Sequence, residues 1–99
     1  MRLTEQTRQT IVSTARAVFG DQARVRLFGS RLDDAARGGD IDLLIEIPMA
    51  DPEQQRKSLT MVALLQRQLG DQPIDVLVLD PATAPSAVHR NAIETGKLL

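Results

Sequence analysis

Residues 24–47 read RVRLFGSRLDDAARGGDIDLLIEI, and this stretch decides the fold because it places two apolar strands around a glycine-rich polar loop. Apolar and charged residues alternate from Arg24 to Phe28, which is the period-two pattern of a strand with one covered face. A second strand is predicted from Ile41 to Ile47, where every odd-numbered position is apolar. Pro48 ends that strand, and the loop between the strands carries the residues with the most distinctive chemistry.

The rest of the chain alternates helices and strands around this pair. Helical spacing of apolar residues predicts helices over 4–19 and about 51–69, and a weaker helix after Pro85. The apolar run over 74–79 predicts a third strand. The positions expected to face inward on the helices are Ile11, Val12, Ala15, Val18, Phe19, Leu59, Val62, Leu65, Leu69, Val88, Ala92 and Ile93. The predicted order is αβαβαβα, and the loop after Ser30 contributes at most one helical turn.

These elements predict an α/β (α+β) fold, with a mixed three- to four-stranded sheet and helices packed on one face. A length of 99 residues favours one domain spanning 1–99. The net charge of −1 gives no global electrostatic reason to expect nucleic-acid or membrane binding. Without a cysteine, the chain has no disulfide or thiolate chemistry. Neither a signal peptide nor a membrane span is evident, so we expect a cytoplasmic protein.

The tripeptide Gly29-Ser30-Arg31 follows the first strand directly. A glycine at this point lets the backbone approach a ligand closely, and a helical turn beginning at Ser30 would aim its free N–H groups at an anion. The serine hydroxyl and the guanidinium of Arg31 add donors suited to phosphate. By itself, the tripeptide is equally compatible with a tight turn that carries a surface arginine.

Asp40 and Asp42 open the second strand. Residues two apart on a strand point the same way, roughly 6.6 Å apart along the chain. Two carboxylates in that arrangement can share divalent ions, and hard oxygen ligands select magnesium or manganese. A pair of solvated aspartates at the start of a strand is the alternative interpretation.

Asp75 is the third carboxylate, and it lies second in the strand Ile74–Leu79, which is otherwise apolar. A charge there is costly unless it is paired, liganded or exposed at a sheet edge. If this strand neighbours the second strand, Asp75 lies beside Asp42, and three carboxylates can hold two metal ions roughly 4 Å apart. An aspartate that protects an edge strand from aggregation is the alternative.

Gly29-Ser30, nine intervening residues, Asp40-Ile41-Asp42 and a distant Asp75 together resemble the nucleotidyltransferase superfamily of the DNA polymerase beta type. In size the chain is similar to the minimal nucleotidyltransferases (MNT) of that superfamily. The resemblance implies that Gly29, Ser30 and Arg31 contact the nucleotide, and that Asp40, Asp42 and Asp75 are catalytic residues and metal ligands. It implies two Mg²⁺ ions, with Mn²⁺ as a substitute, and ATP as the substrate.

The implied reaction is transfer of AMP to a hydroxyl, with release of pyrophosphate. Minimal nucleotidyltransferases commonly pair with a helical HEPN ribonuclease toxin, so the resemblance implies an antitoxin that modifies its partner within a hetero-oligomer; a homodimer is a further possibility. The chain has no tyrosine, so any tyrosyl-AMP would form on another protein. The roles of Arg37 and His89, the nucleotide base and the acceptor residue stay open.

Two other functions fit the same residues. One is an antitoxin that neutralises its partner by binding alone, although all four residues Ser30, Asp40, Asp42 and Asp75 are present. The other is a catalytic subunit that modifies a small molecule such as an aminoglycoside. Such enzymes usually carry an extra helical domain, which is missing here and which a partner chain would have to supply.

Overall fold

The computed structural model describes residues 3–29 and 41–99 of the chain. The described elements are three helices and four strands, in the order α1 (Glu5–Phe19), β1 (Arg24–Phe28), β2 (Ile41–Glu46), α2 (Gln54–Leu69), β3 (Ile74–Leu79), α3 (Ala87–Thr95) and β4 (Lys97–Leu98). The predicted mixed α/β fold is confirmed, and β4 is the additional edge strand. The helical turn expected after Ser30 lies outside the described residues.

Side-chain and backbone caps define where the helices begin and end. The hydroxyl of Thr4 accepts a hydrogen bond from the backbone N–H of Thr7 at the start of α1. Both α1 and α2 end at a glycine with positive φ, Gly20 and Gly70. The predicted start of α2 at Asp51-Pro52-Glu53 instead forms a turn, in which the Asp51 carboxylate accepts from the Glu53 N–H.

The described strands form one sheet in the order β3-β2-β1-β4. β1 runs antiparallel to both β2 and β4, whereas β2 and β3 run parallel. A parallel pair needs a crossover connection, and α2 supplies it between β2 and β3. This topology brings the end of β1 and the starts of β2 and β3 to the same end of the sheet.

One face of the sheet carries the main core against α1 and α2. The odd-numbered residues of β1 and β2 and the even-numbered residues of β3 point to this face and meet the buried helix residues Ile11, Ala15, Met61 and Leu65. The period-two pattern therefore predicted the core face of the sheet correctly. On α2, however, the prediction that Leu59 faces inward is wrong, because Leu59 is 68% exposed while Met61 is fully buried.

The third helix lies across the opposite face, which differs from the expected packing of all helices on one side. Its buried residue, Ala92, packs against Phe28 and Leu44, with Leu77 and Leu79 beside them. The physical reason is that these four strand residues form a small apolar patch on the second face, which needs cover. Val88 and Ile93 were expected to face inward, but both are exposed.

Candidate functional site

Two aspartates meet on the second face of the sheet, at the end where β1 stops and β2 and β3 begin. Asp42 pairs with Phe28 of β1 on one side and with Asp75 of β3 on the other. Because neighbouring strands lie about 4.8 Å apart and directly paired residues point to the same face, the side chains of Asp42 and Asp75 stand next to each other. The sequence-based expectation that β3 neighbours β2 and brings these carboxylates together is thus met.

Gly29 contributes shape to this site. Its φ is +79°, in the region that favours glycine. A Cβ atom at this position would lie 2.2 Å from Oδ2 of Asp42 and 3.2 Å from its Cγ. The sequence suggested that this glycine allows close approach of a ligand to the backbone, and that expectation stays a prediction. In this structure the group that approaches is the Asp42 carboxylate.

The donor set at this position suits a hard divalent cation. Asp42 is half-buried and Asp75 is exposed, so a ligand can reach the pair from solvent. Carboxylate oxygens are the ligands that Mg²⁺ and Mn²⁺ prefer, and Mg²⁺ is often held by only one or two protein carboxylates with phosphate oxygens and water. Residues 3–29 and 41–99 contain no cluster of three or more acidic or histidine side chains placed to hold a metal.

The remaining predicted site residues lie outside the described part of the chain. These residues are Ser30, Arg31 and Asp40, and Arg37, whose role stays open, lies outside it as well. The structure thus assembles Gly29, Asp42 and Asp75 of the predicted set, and the expected contributions of the other residues stay predictions.

Further along the same face, Arg26 and Glu46 form an ion pair between β1 and β2. Nε of Arg26 lies 2.5 Å from Oε1 of Glu46, and the side chains are 19% and 26% exposed. Each side chain satisfies the other across the strands, and a half-buried ion pair is costly to break, so these two residues stabilise the sheet rather than face a substrate or partner.

Sequence reasoning missed a second carboxylate centre at the far end of β3. Asp80 is only 5% exposed and accepts hydrogen bonds from the Asp51 N–H, the Gln54 amide and the Thr83 hydroxyl, at 2.9, 3.1 and 2.7 Å. The Asp51 N–H is the main reason that the pKa of Asp80 is lowered. The Lys57 ammonium, 2.6 Å from Oδ2 of Asp51, likewise holds the pKa of Asp51 below its usual value.

This network joins the end of β3 to the start of α2. Part of this network is indicated by the local sequence. Asp80 follows a strand and precedes Thr83 by three residues, a spacing typical of a turn stabilised by an aspartate side chain. Nothing local indicates the partner residues, because Asp51 and Gln54 are 29 and 26 residues away.

His89 has a defined structural position at the start of α3. Its Nδ1 accepts a hydrogen bond from the Ser86 backbone N–H at 3.1 Å, and the Ser86 hydroxyl accepts from the His89 N–H, which together make a capping box. Since Nδ1 accepts, Nε2 carries the proton, and it donates to the carbonyl oxygen of Val78 at 3.1 Å. The ring therefore binds the edge strand β3.

Comparison with known proteins adds no identification. No protein-family model matches the chain, and no curated protein matches it significantly. Within the described residues, no helix is long and apolar enough to cross a membrane.

Proposed function

We propose that this protein is a metal-dependent nucleotidyltransferase that transfers AMP from ATP to a hydroxyl of a partner protein. The observation that carries the proposal is the register of β2 and β3, which pairs Asp42 directly with Asp75 next to Gly29. The carboxylates belong to segments 33 residues apart, and their meeting at a strand end favours a site over two unrelated surface charges. The spaced Gly29-Ser30, Asp40-Ile41-Asp42 and Asp75 pattern supports the same function.

The residues divide the chemistry between them. Asp42, half-buried against Gly29, is suited to hold a cation in a fixed position, while the exposed Asp75 is suited to accept a proton. In the proposed step, the acceptor hydroxyl oxygen attacks the α-phosphorus of ATP and its proton passes to Asp75. The bond from the α-phosphorus to the bridging oxygen breaks, and pyrophosphate leaves with that electron pair.

Two Mg²⁺ or Mn²⁺ ions held by Asp42 and Asp75, with Asp40 as the further ligand, would supply charge neutralisation for the triphosphate and a lowered pKa for the acceptor hydroxyl. We further propose that Ser30 and Arg31 bind the distal phosphates. The acceptor in this proposal is a HEPN-type toxin that the modification neutralises in the cytoplasm.

One observation favours a second candidate function, an antitoxin that acts by binding alone. Asp75 lies on an edge strand of the described sheet and is exposed, as expected for an aspartate that only protects that edge. In that case the carboxylate is dispensable for neutralisation of a partner.

A transfer assay with α-labelled ATP, Mg²⁺ and candidate partner proteins separates the two functions. We expect Asp42→Asn and Asp75→Asn each to reduce labelling at least 100-fold while the protein stays folded by circular dichroism. Asp71→Asn is the matched control, since Asp71 is an exposed aspartate just before β3. Equal labelling by all variants, or neutralisation of the partner without labelling, would reject the transferase.

A further inference from the structure

Beside Asp75, no described segment pairs with the outer edge of β3, and the direction of the backbone groups on that edge follows from the bonds to β2. The carbonyls of Pro73 and Leu79 accept from the N–H groups of Ile41 and Ile47, so odd-numbered residues of β3 turn their backbone groups towards β2. Even-numbered residues therefore turn theirs outward. The contact from His89 to the Val78 carbonyl agrees with this alternation.

Of the outward backbone groups on this edge, His89 contacts the carbonyl of Val78, and among the described residues those of Ile74 and Val76 have no strand beside them. The imidazole occupies the carbonyl of Val78, at the end away from the candidate site. No described segment pairs with the outward N–H and C=O groups of Ile74 and Val76, which flank Asp75. The open part of the edge is thus the part next to the carboxylate pair.

From this geometry we infer that the acceptor binds as an extended peptide that adds a strand to the outer edge of β3 at Ile74 and Val76. The inference rests on the proposed function and specifies its substrate, a hydroxyl-bearing segment in strand conformation. Backbone hydrogen bonds to an edge provide such binding with little dependence on sequence.

The register explains why this mode of binding serves the reaction. In an antiparallel addition, the outward residues Ile74 and Val76 form hydrogen-bonded pairs with the peptide, which makes Asp75 the centre of a non-hydrogen-bonded pair. Cα atoms in such pairs are only about 4.5 Å apart, and both side chains point to the same face. The peptide residue opposite Asp75 therefore presents its hydroxyl on the face that carries Asp42 and Asp75.

A groove of about 550 Å³ beside β3 provides space for the alternate side chains of the peptide. Val76, Leu77 and Val78 line it from the sheet, Gln54, Gln55 and Ser58 line it from α2, and Pro52, Thr83 and His89 complete the wall. The groove therefore adjoins Val76 and the part of the edge that His89 contacts. Its wall is apolar at the strand and uncharged but hydrogen-bonding at the helix. This composition suits a peptide of mixed sequence, held mainly through its backbone.

Val76→Pro tests this inference because it removes one outward N–H without removing a bond to β2. Proline is tolerated on an edge strand where the N–H faces solvent. Leu98→Pro is the matched control on the opposite edge, since the Leu99 N–H bonds to β1 and Leu98 therefore points outward as well. The probe is a library of nine-residue peptides with a fixed central serine, threonine or tyrosine, together with α-labelled ATP and Mg²⁺.

We expect Val76→Pro to label the peptides at least 10-fold less than Leu98→Pro does. The increase in melting temperature on adding ATP and Mg²⁺ should be the same for the two variants. Amide hydrogen exchange at Ile74 and Val76 in the unmodified protein should slow at least 10-fold when the library is added. Equal labelling by the two proline variants would overturn the inference and leave the transferase in place. A dimer that Val76→Pro converts to a monomer would also overturn it, since the edge would then bind a second copy of the chain.

If neither the peptides nor the partner proteins are labelled, the proposed function is rejected, and hydrogen exchange then decides the edge separately. Protection at Ile74 and Val76 without labelling supports strand addition by a protein that only binds. No protection at these two amides overturns strand addition whatever the labelling shows.

Discussion

Replacing Gly29 by alanine tests whether the close approach of the backbone to Asp42 serves ligand binding. The change has two separable costs. The first is the positive φ of +79°, which a residue with a Cβ adopts only with strain. The second is the new Cβ atom at 2.2 Å from Oδ2 of Asp42, a distance that forces the carboxylate to move.

The structure allows both costs to be estimated. Holding a non-glycine residue in a sparsely populated backbone region costs about 1–3 kcal/mol. The atom nearest the added Cβ is the end of a side chain that can rotate rather than backbone, so the clash can be relieved by moving the Asp42 carboxylate. The same displacement removes a carboxylate from its position beside Asp75, so the larger effect should fall on binding of Mg²⁺ and ATP.

Gly70→Ala isolates the backbone cost. Gly70 also has a positive φ, +95°, but nothing lies within 4 Å of its added Cβ. We expect urea denaturation to show losses of about 1–3 kcal/mol for both variants. Adding Mg²⁺ and ATP should raise the melting temperature of Gly70→Ala as it does that of the unmodified protein, and should raise that of Gly29→Ala less. Each tenfold loss of ligand affinity removes about 1.4 kcal/mol of the stabilisation that the ligand provides.

Equal ligand responses in the two alanine variants would refute the reasoning, because the Asp42 contact would then have no part in binding. A loss of folding in Gly29→Ala alone would also contradict it, since the strain is of the same kind in both. In that case the contact between Gly29 and Asp42 would be structural.

Two further predictions concern stability. Met61→Ala should lower the unfolding free energy by about 2–5 kcal/mol because Met61 is fully buried, whereas Leu59→Ala should change it by less than about 0.5 kcal/mol. Urea denaturation measures both changes, and equal losses would contradict the assignment of Met61 to the buried face of α2. The lowered pKa values of Asp51 and Asp80 predict stability that is fully present above their unfolded-state values near pH 4 and is lost as the pH falls through the lower folded-state values. Asp80→Asn should flatten that acid limb in urea denaturation as a function of pH, and an unchanged slope would argue against the network.

The parts of the fold that the sequence predicted are those that depend on local periodicity. β1 covers the alternating stretch from Arg24 to Phe28, β3 covers the apolar stretch from Ile74 to Leu79, and Gly20 and Gly70 end their helices. Periodicity was insufficient for α2, where Leu59 and Met61 are both apolar but lie on nearly opposite sides of the helix, being two residues apart. Only the packing of α2 against the sheet decides which of the two is buried.

The site followed from the sequence under one condition, the adjacency of β2 and β3. No local pattern establishes that adjacency, but α2 provides a crossover of the length that a parallel pair needs. The contact of Gly29 with Asp42 and the ion pair of Arg26 with Glu46 depend on the antiparallel register of β1 and β2, which pairs Phe28 with Asp42. That register is a property of two strands together, so neither strand predicts it alone.

The position of the site at the edge of the described sheet has a consequence for the kind of acceptor it can serve. Asp42 lies on a strand with neighbours on both sides, so its surroundings are largely determined by the protein itself. Among the described strands, Asp75 has a neighbour on one side only, and in the proposed binding mode its other side receives the acceptor. This difference between the surroundings of Asp42 and Asp75 suits the proposed transferase, in which the nucleotide is always the same and the acceptor is a separate chain. In the proposed transferase, a peptide strand added to this edge would complete the acceptor half of the site.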